Sequence, residues 1–394
     1  MGDAEPAAVT IKAVGNIGTI DAAQWDGVAG GRNPFLSHAF LKALEDSGSV
    51  SAETGWVPYH VVVEGADGSL RAAAPLYVKS HSMGEYMFDY GWADAFERAG
   101  GQYYPKLQLA VPFTPVTGPR LLAREDQDQA MNRELALAGC VEVATQLEVS
   151  SLHITFLTES EWEQCGDSGL LRRTGEQFHW LNNGYATFDD FLTDLTSRKR
   201  KQIRRERREI QENHDLNVQV FTGADLKEEH WDAFYGFYTD TGARKWGRPY
   251  LNRLFFSLIG ETMPDNIALV MASRDSNYIA GALNFIGSDA LYGRNWGCCE
   301  DHRFLHFEAC YYQAIQFAIE RGLDRVEAGA QGQHKLARGY LPVHTYSAHW
   351  IRETQFREAI ERYLVHERKQ VDEDISYLAE HSPFRHSEIE EDGF

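Results

Sequence analysis

Apolar and polar positions along the chain predict the same run of elements twice. Within residues 59–78, two apolar runs flank Asp67-Gly68, a pair typical of a tight β-hairpin turn. Residues 266–287 repeat this pattern, with the turn near Asp275. In each half a helical stretch precedes the hairpin, and a strand, a long helix and a further strand follow it. The pattern therefore predicts a duplicated α/β unit.

The helical periodicity gives bounds for the main predicted elements. Helices are predicted over 35–48, 129–148, 230–242, 250–263 and 307–322, and the strands after the two long helices over 150–157 and 323–330. Gly322 occupies the position of a C-terminal cap. Aligning Ser150 with Gly322 places Ile154 on Val326, so the two halves correspond in pattern although not in residue identity.

This order of elements resembles the GNAT acyltransferase fold, whose sheet splays between its fourth and fifth strands to receive an acyl donor. In the second half, residues 289–297 would form the fourth strand and 323–330 the fifth. We therefore predict an α/β (α+β) protein of two tandem GNAT-like acyltransferase domains, with mixed central sheets flanked by helices. The predicted limits are 1–185 for the first domain, 186–381 for the second domain with the active cleft, and 382–394 for an acidic flexible tail.

Composition limits the class of protein and its partners. A chain of 394 residues exceeds the usual size of one hydrophobic core, which favours two domains. The net charge of −20 weighs against general affinity for nucleic acids or anionic membranes. The start lacks a basic region followed by an apolar stretch, and no run approaches the roughly 18 apolar residues of a membrane span. Five cysteines without C-x-x-C spacing, and no metal-ligand spacing, predict a cytoplasmic protein without a metal site.

A glycine-rich segment, EAGAQGQHKLARGY (327–340), follows the last predicted strand of the second half. Its first residue, Glu327, interrupts an otherwise apolar strand. Amide formation needs a group that takes the proton of the attacking amine, and Glu327 is the predicted general base. The alternative is a structural ion pair between Glu327 and Arg294 or Lys335.

The same segment carries three possible cations directly after its glycines. A glycine turn followed by His334, Lys335 and Arg338 predicts a cradle for a phosphate or carboxylate, although a tight strand exit would also explain the glycines. Predicted substrate-binding residues here are Gln331, Lys335, Arg338 and Tyr340, and His334 is a second predicted catalytic residue. We expect Glu327 and the three cations to border one cleft.

Further residues outside this segment are predicted to contact the substrate. They are Arg244, Lys245, Trp246, Arg294, Trp296 and Glu308. The first three combine charge with a stacking surface for an acyl chain, a sugar or a base, but an ordinary loop between helices would look the same. Glu308 is a second acid candidate, and its alternative role is to stabilise the start of a helix.

The run SRKRKQIRRERREI (197–210) has eight basic and two acidic residues within an acidic protein. Arg200, Arg204 and Arg208 recur every four residues and would line one side of a helix. Phosphates of a donor, such as tRNA, or of an anionic acceptor could dock on this side. The alternative is a solvated helical face, which is the usual explanation of such a run.

Four segments carry a resemblance to a known family. They are VPFTPVTGPRL (111–121), RKWGRPYLNRLFF (244–256), FLHFEACYYQAIQFAIERGL (304–323) and EAGAQGQHKLARGYLPVHTYSAHW (327–350). Together they resemble the FemAB-like predicted N-acyltransferases, which are related to GNAT enzymes, over about residues 10–380. The better-studied Fem transferases have tandem GNAT-like domains and move an amino acid from aminoacyl-tRNA to an amine of a peptidoglycan precursor. The resemblance implies a similar reaction.

The resemblance also implies roles for particular residues. Glu327, Gly329, Lys335, Gly339 and Tyr340 match the pattern of the second Fem domain, which has an acid-containing strand, a glycine loop and a Phe-Lys segment. His334 stands where the family has phenylalanine. Fem-type enzymes also carry a basic stretch at the start of the second domain, as residues 197–210 do here.

The sequence leaves the acyl donor open. Acetyl-CoA users of this fold carry a glycine-rich loop after the fourth strand, and GCCEDHRFLHFE (297–308) lacks it. This favours aminoacyl-tRNA or a carrier-bound acyl group, whereas the charge of −20 argues against tRNA. We therefore hypothesise an N-acyl or aminoacyl transferase for an amine acceptor, without a bound cofactor. The alternatives are a transferase that uses a CoA thioester, and a non-catalytic protein that recognises cell-wall or anionic glycan fragments.

Overall fold

A computed structural model of the protein describes residues 9–126, 128–245, 249–329 and 332–385. The strands are β1 (Val9–Val14), β2 (Trp56–Pro58), β3 (His60–Gly65), β4 (Leu70–Ala74), β5 (Leu76–Lys79), β6 (Lys106–Leu109), β7 (Leu122–Ala123), β8 (Ser151–Leu157), β9 (Leu171–Leu181), β10 (Leu216–Thr222), β11 (Ile267–Arg274), β12 (Asn277–Ile286), β13 (Ala290–Cys298), β14 (Arg325–Glu327) and β15 (Leu341–Ile351).

The helices lie between these strands and at the end of the chain. They are α1 (Ala22–Ala29), α2 (His38–Asp46), α3 (Tyr90–Arg98), α4 (Gln129–Gln146), α5 (Glu159–Asp167), α6 (Phe188–Asp194), α7 (Ser197–Gln211), α8 (Glu228–Lys245), α9 (Arg253–Thr262), α10 (Leu305–Phe307), α11 (Gln313–Arg321) and α12 (Thr354–Glu380). Short 3-10 helices cover Ile17–Thr19, Pro34–Leu36, Gly223–Asp225, Pro264–Asn266 and Gln333–Arg338, and a π-helical turn, Glu308–Tyr312, joins α10 to α11. None of the described helices is long and apolar enough to cross a membrane.

Most strands belong to one mixed sheet. Its eleven strands have the order β10-β11-β12-β13-β14-β9-β15-β8-β6-β5-β2, and a second, antiparallel sheet has the order β1-β3-β4-β7. Within the large sheet, β6 pairs parallel with β8, and β13 pairs parallel with β14. These two pairs occupy corresponding places in the two halves. The predicted fold of tandem GNAT-like units, with mixed sheets flanked by helices, is therefore confirmed.

In each half a strand follows the parallel pair, and this strand lies in the sheet next to a strand of the other half. β9 comes from the first half of the chain, but all three residues of β14 pair with it. β15 comes from the second half and pairs with β8. At the centre β9 and β15 pair with each other, so the sheet is continuous across the two halves. The domain limits 1–185 and 186–381 stay a prediction.

Both predicted hairpins are present, but the first is divided between two sheets. β11 and β12 turn at Asp275 and Ser276, whose φ angles are 49° and 65°. In the first half, β3 and β4 pair in the small sheet, and the chain then passes through Pro75 into β5 of the large sheet. Proline lacks the N–H that continues a strand ladder. The second strand of this predicted hairpin is therefore divided at Pro75 into β4 and β5.

Two elements near the predicted cleft differ from the prediction. The predicted helix 307–322 contains the π turn and ends as expected at Gly322, whose φ is 65°. The predicted strand 323–330 is reduced to Arg325–Glu327. Gly329 has a φ of 77°, which turns the chain away from the sheet soon after the strand ends.

The first residues of the predicted flexible tail pack against the second half. The main-chain N–H of Thr196 donates to the carbonyl oxygen of Pro383 at 2.9 Å, and the ring of Phe384 lies 6.2 Å from that of Phe191. Residues 386–394 lie outside the described part of the chain.

A substitution at Trp180 in β9 tests whether this strand packs into the second half of the protein. It is fully buried in a cluster with Ile315 and Val326 of the second half. We expect Trp180→Ala to lower the free energy of unfolding by about 3–5 kcal/mol, because it empties a large site in a packed core. The neighbouring Leu181 is 43% exposed, so Leu181→Ala is the control, with an expected cost below about 1 kcal/mol. Equal stability of the two variants in urea denaturation would contradict this packing.

Candidate active site at the opening of the large sheet

β13 and β14 pair only briefly before they part. Their pairing covers Ala290–Tyr292 against Arg325–Glu327, and beyond these residues the two strands no longer pair. β13 also shifts its register against β12 next to Leu283, and such bulges bend a strand. The opening lies where the sequence predicted it, between the fourth and fifth strands of the second unit.

A cavity of about 150 Å³ occupies this opening. Arg294 and Trp296 of β13 line it together with His306, Cys310 and Tyr311 from the helix that follows. The last two belong to the π turn, which adds a residue to the helical turn and alters the direction of its side chains. Turns of this kind are frequent at functional sites.

Lys335 and His334 interact with Cys310 and Tyr311, two of the residues that line the cavity. Nζ of Lys335 donates to the carbonyl oxygen of Gly329 at 2.8 Å, and the residue is 2% exposed. Burial lowers the pKa of Lys335 to about 8. Nε2 of His334 lies 2.8 Å from the hydroxyl oxygen of Tyr311. A buried amine that can be cationic or neutral near physiological pH thus lies beside Cys310, which lines the cavity.

Glu327 lies on the other face of the sheet. It pairs with Nε of Arg325 at 2.9 Å, so the ion-pair partner is Arg325 rather than Arg294 or Lys335 as the sequence suggested. Its Oε2 has no hydrogen-bond partner among the described residues and lies 3.7 Å from Nε2 of His179. Burial holds the pKa of His179 below its usual range, so this imidazole is neutral near pH 7.

Arg294 connects the opening to the first half of the chain. It donates to the carbonyl oxygen of Phe113, and its guanidinium interacts with the hydroxyl of Tyr86. Its central carbon lies 6.0 Å from the ring centroid of Phe35. Burial lowers the pKa of Arg294, but an arginine side chain keeps its charge in a protein. The candidate site therefore combines residues of both halves.

The equivalent position in the first half is covered by its own chain. Arg120 is fully buried there, and its guanidinium donates to the carbonyl oxygens of Thr155 at 2.9 Å and Val116 at 2.7 Å. Backbone carbonyl groups thus satisfy this cation, and the segment 110–121 lies across the ends of β6 and β8. We place the candidate site in the second half for this reason.

Three predicted substrate-binding residues have partners inside the fold. Nη2 of Arg338 lies 3.1 Å from Oε2 of Glu206, and Glu308 pairs with Nη2 of Arg207 at 3.1 Å. Tyr340 is fully buried and packs edge-on against Tyr311. The expectation that Glu327 and all three cations border one cleft is therefore corrected. Arg338 is held by a carboxylate, and Glu327 lies behind the sheet.

The predicted polyanion-binding residues lie on the outer surface of α7. Arg204 pairs with Asp189 at 3.0 Å, Arg208 lies 3.9 Å from Glu212, and Arg200 is half-buried. A groove of about 660 Å³ runs along this helix beside α6 and α11. Among the other predicted residues, Trp246 and Gln331 lie outside the described residues, as do the side chains of Arg244 and Lys245.

A comparison with family profiles gives a match that covers most of the chain. The profile of the FemAB-like family, described as peptidoglycan biosynthesis/recognition, matches residues 16–386. This chain belongs to the FemAB-like family. Membership and fold together support acyl or aminoacyl transfer in general. The comparison with curated protein sequences gave no match.

Solved structures similar to this FemAB-like protein share its fold. The crystal structure of FemX has a TM-score of 0.55 at 12% identity and covers 87% of this chain and 98% of its own. The C-terminal DUF2156 domain of a predicted lysylphosphatidylglycerol synthetase from Agrobacterium fabrum has a TM-score of 0.52 at 10% identity and covers 86% and 94%. At such identities the likeness shows the fold alone.

Sequence reasoning missed several residues of the opening. His306 and Cys310 line the cavity, but a helix with one apolar stripe gave no sign of a π turn that redirects its side chains. Tyr86 and Phe113 reach Arg294 from more than 180 residues away in the chain. Phe113 lies in a segment that carried the family resemblance, which was the only signal available for it.

The pKa of Lys335 predicts how stability depends on pH in this FemAB-like protein. The amine titrates near pH 8 when folded and near about 10.4 when unfolded, so between these values the unfolded state binds more protons. The contribution of Lys335 to stability should therefore rise with pH, by about 2–3 kcal/mol across this window.

Urea denaturation at several pH values would measure this effect. The stability of the wild-type protein minus that of Lys335→Met should increase from pH 8 to pH 10. A pH-independent difference for Lys335→Met would show that the amine has an ordinary pKa.

Proposed function

We propose that the protein transfers an acyl or aminoacyl group to an amine at the opening between β13 and β14. One observation carries this proposal. The parted strands leave a cavity, with a buried cation, Lys335, beside its lining residue Cys310 and a buried carboxylate, Glu327, on the opposite face of the sheet. A carbonyl group seated between the strands is accessible from both sides, as a transfer between two substrates requires.

Each of the charged residues has a role in this proposal. The amine approaches on the side of Glu327, and Oε2 of Glu327 takes the proton that the nitrogen loses as it attacks the carbonyl carbon. Lys335 neutralises an anionic part of the donor on the helix side. Arg294, which lines the cavity and interacts with Glu327, orients the acceptor. The alcohol or thiol of the donor leaves with a proton as the amide forms.

The segment after β13 argues against CoA as the donor. Its residues Glu300 and Asp301 place carboxylates where CoA-dependent enzymes of this fold hold a pyrophosphate, and Glu300 is paired with Arg274 at 2.8 Å. Two acids repel an anion, and the sequence lacks the glycines that would expose main-chain amides. We therefore favour an aminoacyl ester of tRNA, which would place the reaction in the cytoplasm, or a carrier-bound acyl group.

The description of the family supports one class of acceptor. The FemAB-like family is described as acting in peptidoglycan biosynthesis or recognition, which supports an amine of a cell-wall precursor as the acceptor. Arg294 is a cation within reach of this acceptor, and cell-wall precursors carry carboxylates and phosphates that it could bind.

Two observations favour a second candidate, recognition without catalysis. The cavity of about 150 Å³ is smaller than the roughly 300–1,000 Å³ of usual ligand sites, and Glu327 is engaged by Arg325. A recognition protein would bind a cell-wall fragment and transfer nothing. Thermal-shift titration with CoA, an acyl-CoA, aminoacyl-tRNA and cell-wall glycan fragments separates these functions. We expect stabilisation by aminoacyl-tRNA and not by CoA, and a protein stabilised by glycan fragments alone would be a recognition protein.

Glu327→Gln tests the role of the carboxylate. We expect kcat for transfer to fall about 10²–10⁴-fold with little change in KM, because the variant keeps the shape and loses the base. Asp289→Asn is a matched control, since Asp289 also pairs with Arg325 but lies outside the opening. Its kcat should stay within a few-fold of wild type. Equal activity of both variants would make Glu327 a structural partner of Arg325 only.

Charge reversal on α7 tests the contact with the donor. Replacing Arg200, Arg204 and Arg208 by Glu should weaken binding of aminoacyl-tRNA and lower the slope of log affinity against log salt, by about 0.7–0.9 for each lost phosphate contact. Arg98→Glu, at an exposed arginine of the first half, is the control. An unchanged salt slope would show that this side of α7 is only a solvated face.

A further inference from the structure

The basic helix α7 turns one carboxylate towards the protein interior. Glu206 is 2% exposed, although most of its neighbours in the helix are exposed cations. It accepts hydrogen bonds from Nη2 of Arg338 at 3.2 Å and 3.1 Å, one to each carboxylate oxygen. The hydroxyl of Tyr312, at the end of the π turn, also donates to Glu206. A single buried acid thus joins α7 to the π turn that lines the opening and to the 3-10 helix that carries Lys335.

Arg338 connects Glu206 to the segment that carries Lys335. Its Nη1 donates to the carbonyl oxygen of His334 at 2.9 Å, and its guanidinium lies 3.4 Å from the ring centroid of Phe307. The cation is therefore held on three sides, by a carboxylate, a carbonyl oxygen and an aromatic ring. The contacts with Glu206 and Phe307 fix the end of the 3-10 helix relative to α7 and α10.

The 3-10 helix Gln333–Arg338 has little stability of its own. It has six residues, and helices of this type have poorer hydrogen bonds than α-helices and are usually shorter. Glycines flank it, with φ angles of 121° at Gly332 and 90° at Gly339, and these allow the chain to pivot. Its position must therefore be set by contacts with the rest of the protein.

We propose that Glu206 is a positioning residue, which through Arg338 holds the segment Gln333–Arg338 so that the amine of Lys335 faces the opening. The inference rests on the proposed function in one respect, because it concerns the same site. It also explains why an acid interrupts the basic run. The outer side of α7 carries the cations offered to the donor, and its inner side fixes the residue that neutralises the donor's charge.

The position of Lys335 can be measured without any substrate. The amine owes its low pKa to burial, so it will return towards an ordinary value if the segment swings out. The other titratable groups that interact with this amine are Cys310 on the π turn and His179 on β9. In protein labelled with ¹³C-lysine, the pH titration of its ¹³Cε resonance reports this state, and the resonance is assigned by its loss in Lys335→Arg.

We expect the titration midpoint to rise from about 8 in the wild-type protein towards about 10.4 in Glu206→Gln. Arg338→Gln should raise it similarly, and the double variant should raise it no further, because both residues act through one contact. Arg207→Gln is the matched control. It breaks the neighbouring buried pair of the same helix, with Glu308, and should leave the midpoint near 8.

A midpoint that stays near 8 in Glu206→Gln, with stability reduced as in the control, would overturn the proposal. If Glu206→Gln does not fold, Glu206→Asp replaces it. The shorter carboxylate should give an intermediate midpoint, and an unchanged one would also overturn the proposal. The measurement does not depend on activity. A shifted midpoint in a protein that transfers nothing would therefore uphold the positioning role and reject the proposed function.

Discussion

The candidate site depends on how a strand of three residues is held. β14 pairs with β13 on one edge and with β9 on the other. Because β9 arrives from the first half of the chain, β14 keeps its place in the sheet although its contact with β13 ends after Glu327. Without that second partner, a strand this short could not stay in the sheet while its neighbour bends away. Pairing of strands between the two halves thus supports the opening.

Cationic side chains lie at this opening, and a carboxylate lies behind it. The half-buried cation Arg294 lines it, the buried amine of Lys335 lies beside its lining residue Cys310, and a buried carboxylate, Glu327, lies behind it in a protein with a net charge of −20. The first unit has the same parallel pair, but Arg120 and the segment 110–121 cover the corresponding place. The chain therefore contains two similar units. The second unit keeps an opening, and the first provides β9 and the residues that contact Arg294.

Local patterns in the sequence predicted the helices, strands and turns. Contacts between residues far apart in the chain decided how the strands are arranged and which side chains meet. The hairpin turns, the cap at Gly322 and the place of the opening follow from alternation, turn residues and repeated order. The division of a predicted strand at Pro75, the pairing of β9 with β15 and the approach of Tyr86 to Arg294 depend on residues far apart in the chain. Similarly, Arg338 looked available for a ligand, because the sequence could not show that Glu206 lies against it.

The most direct test of this account is a crystal structure with a stable donor analogue, an aminoacyl-adenosine whose ester is replaced by an amide. The account predicts that the carbonyl group of the analogue lies between Gly293 of β13 and Ala328 after β14, with Lys335 on one side and Glu327 on the other. An analogue bound only in the groove along α7, or over the segment 110–121 of the first half, would contradict the central claim that transfer takes place where β13 and β14 part.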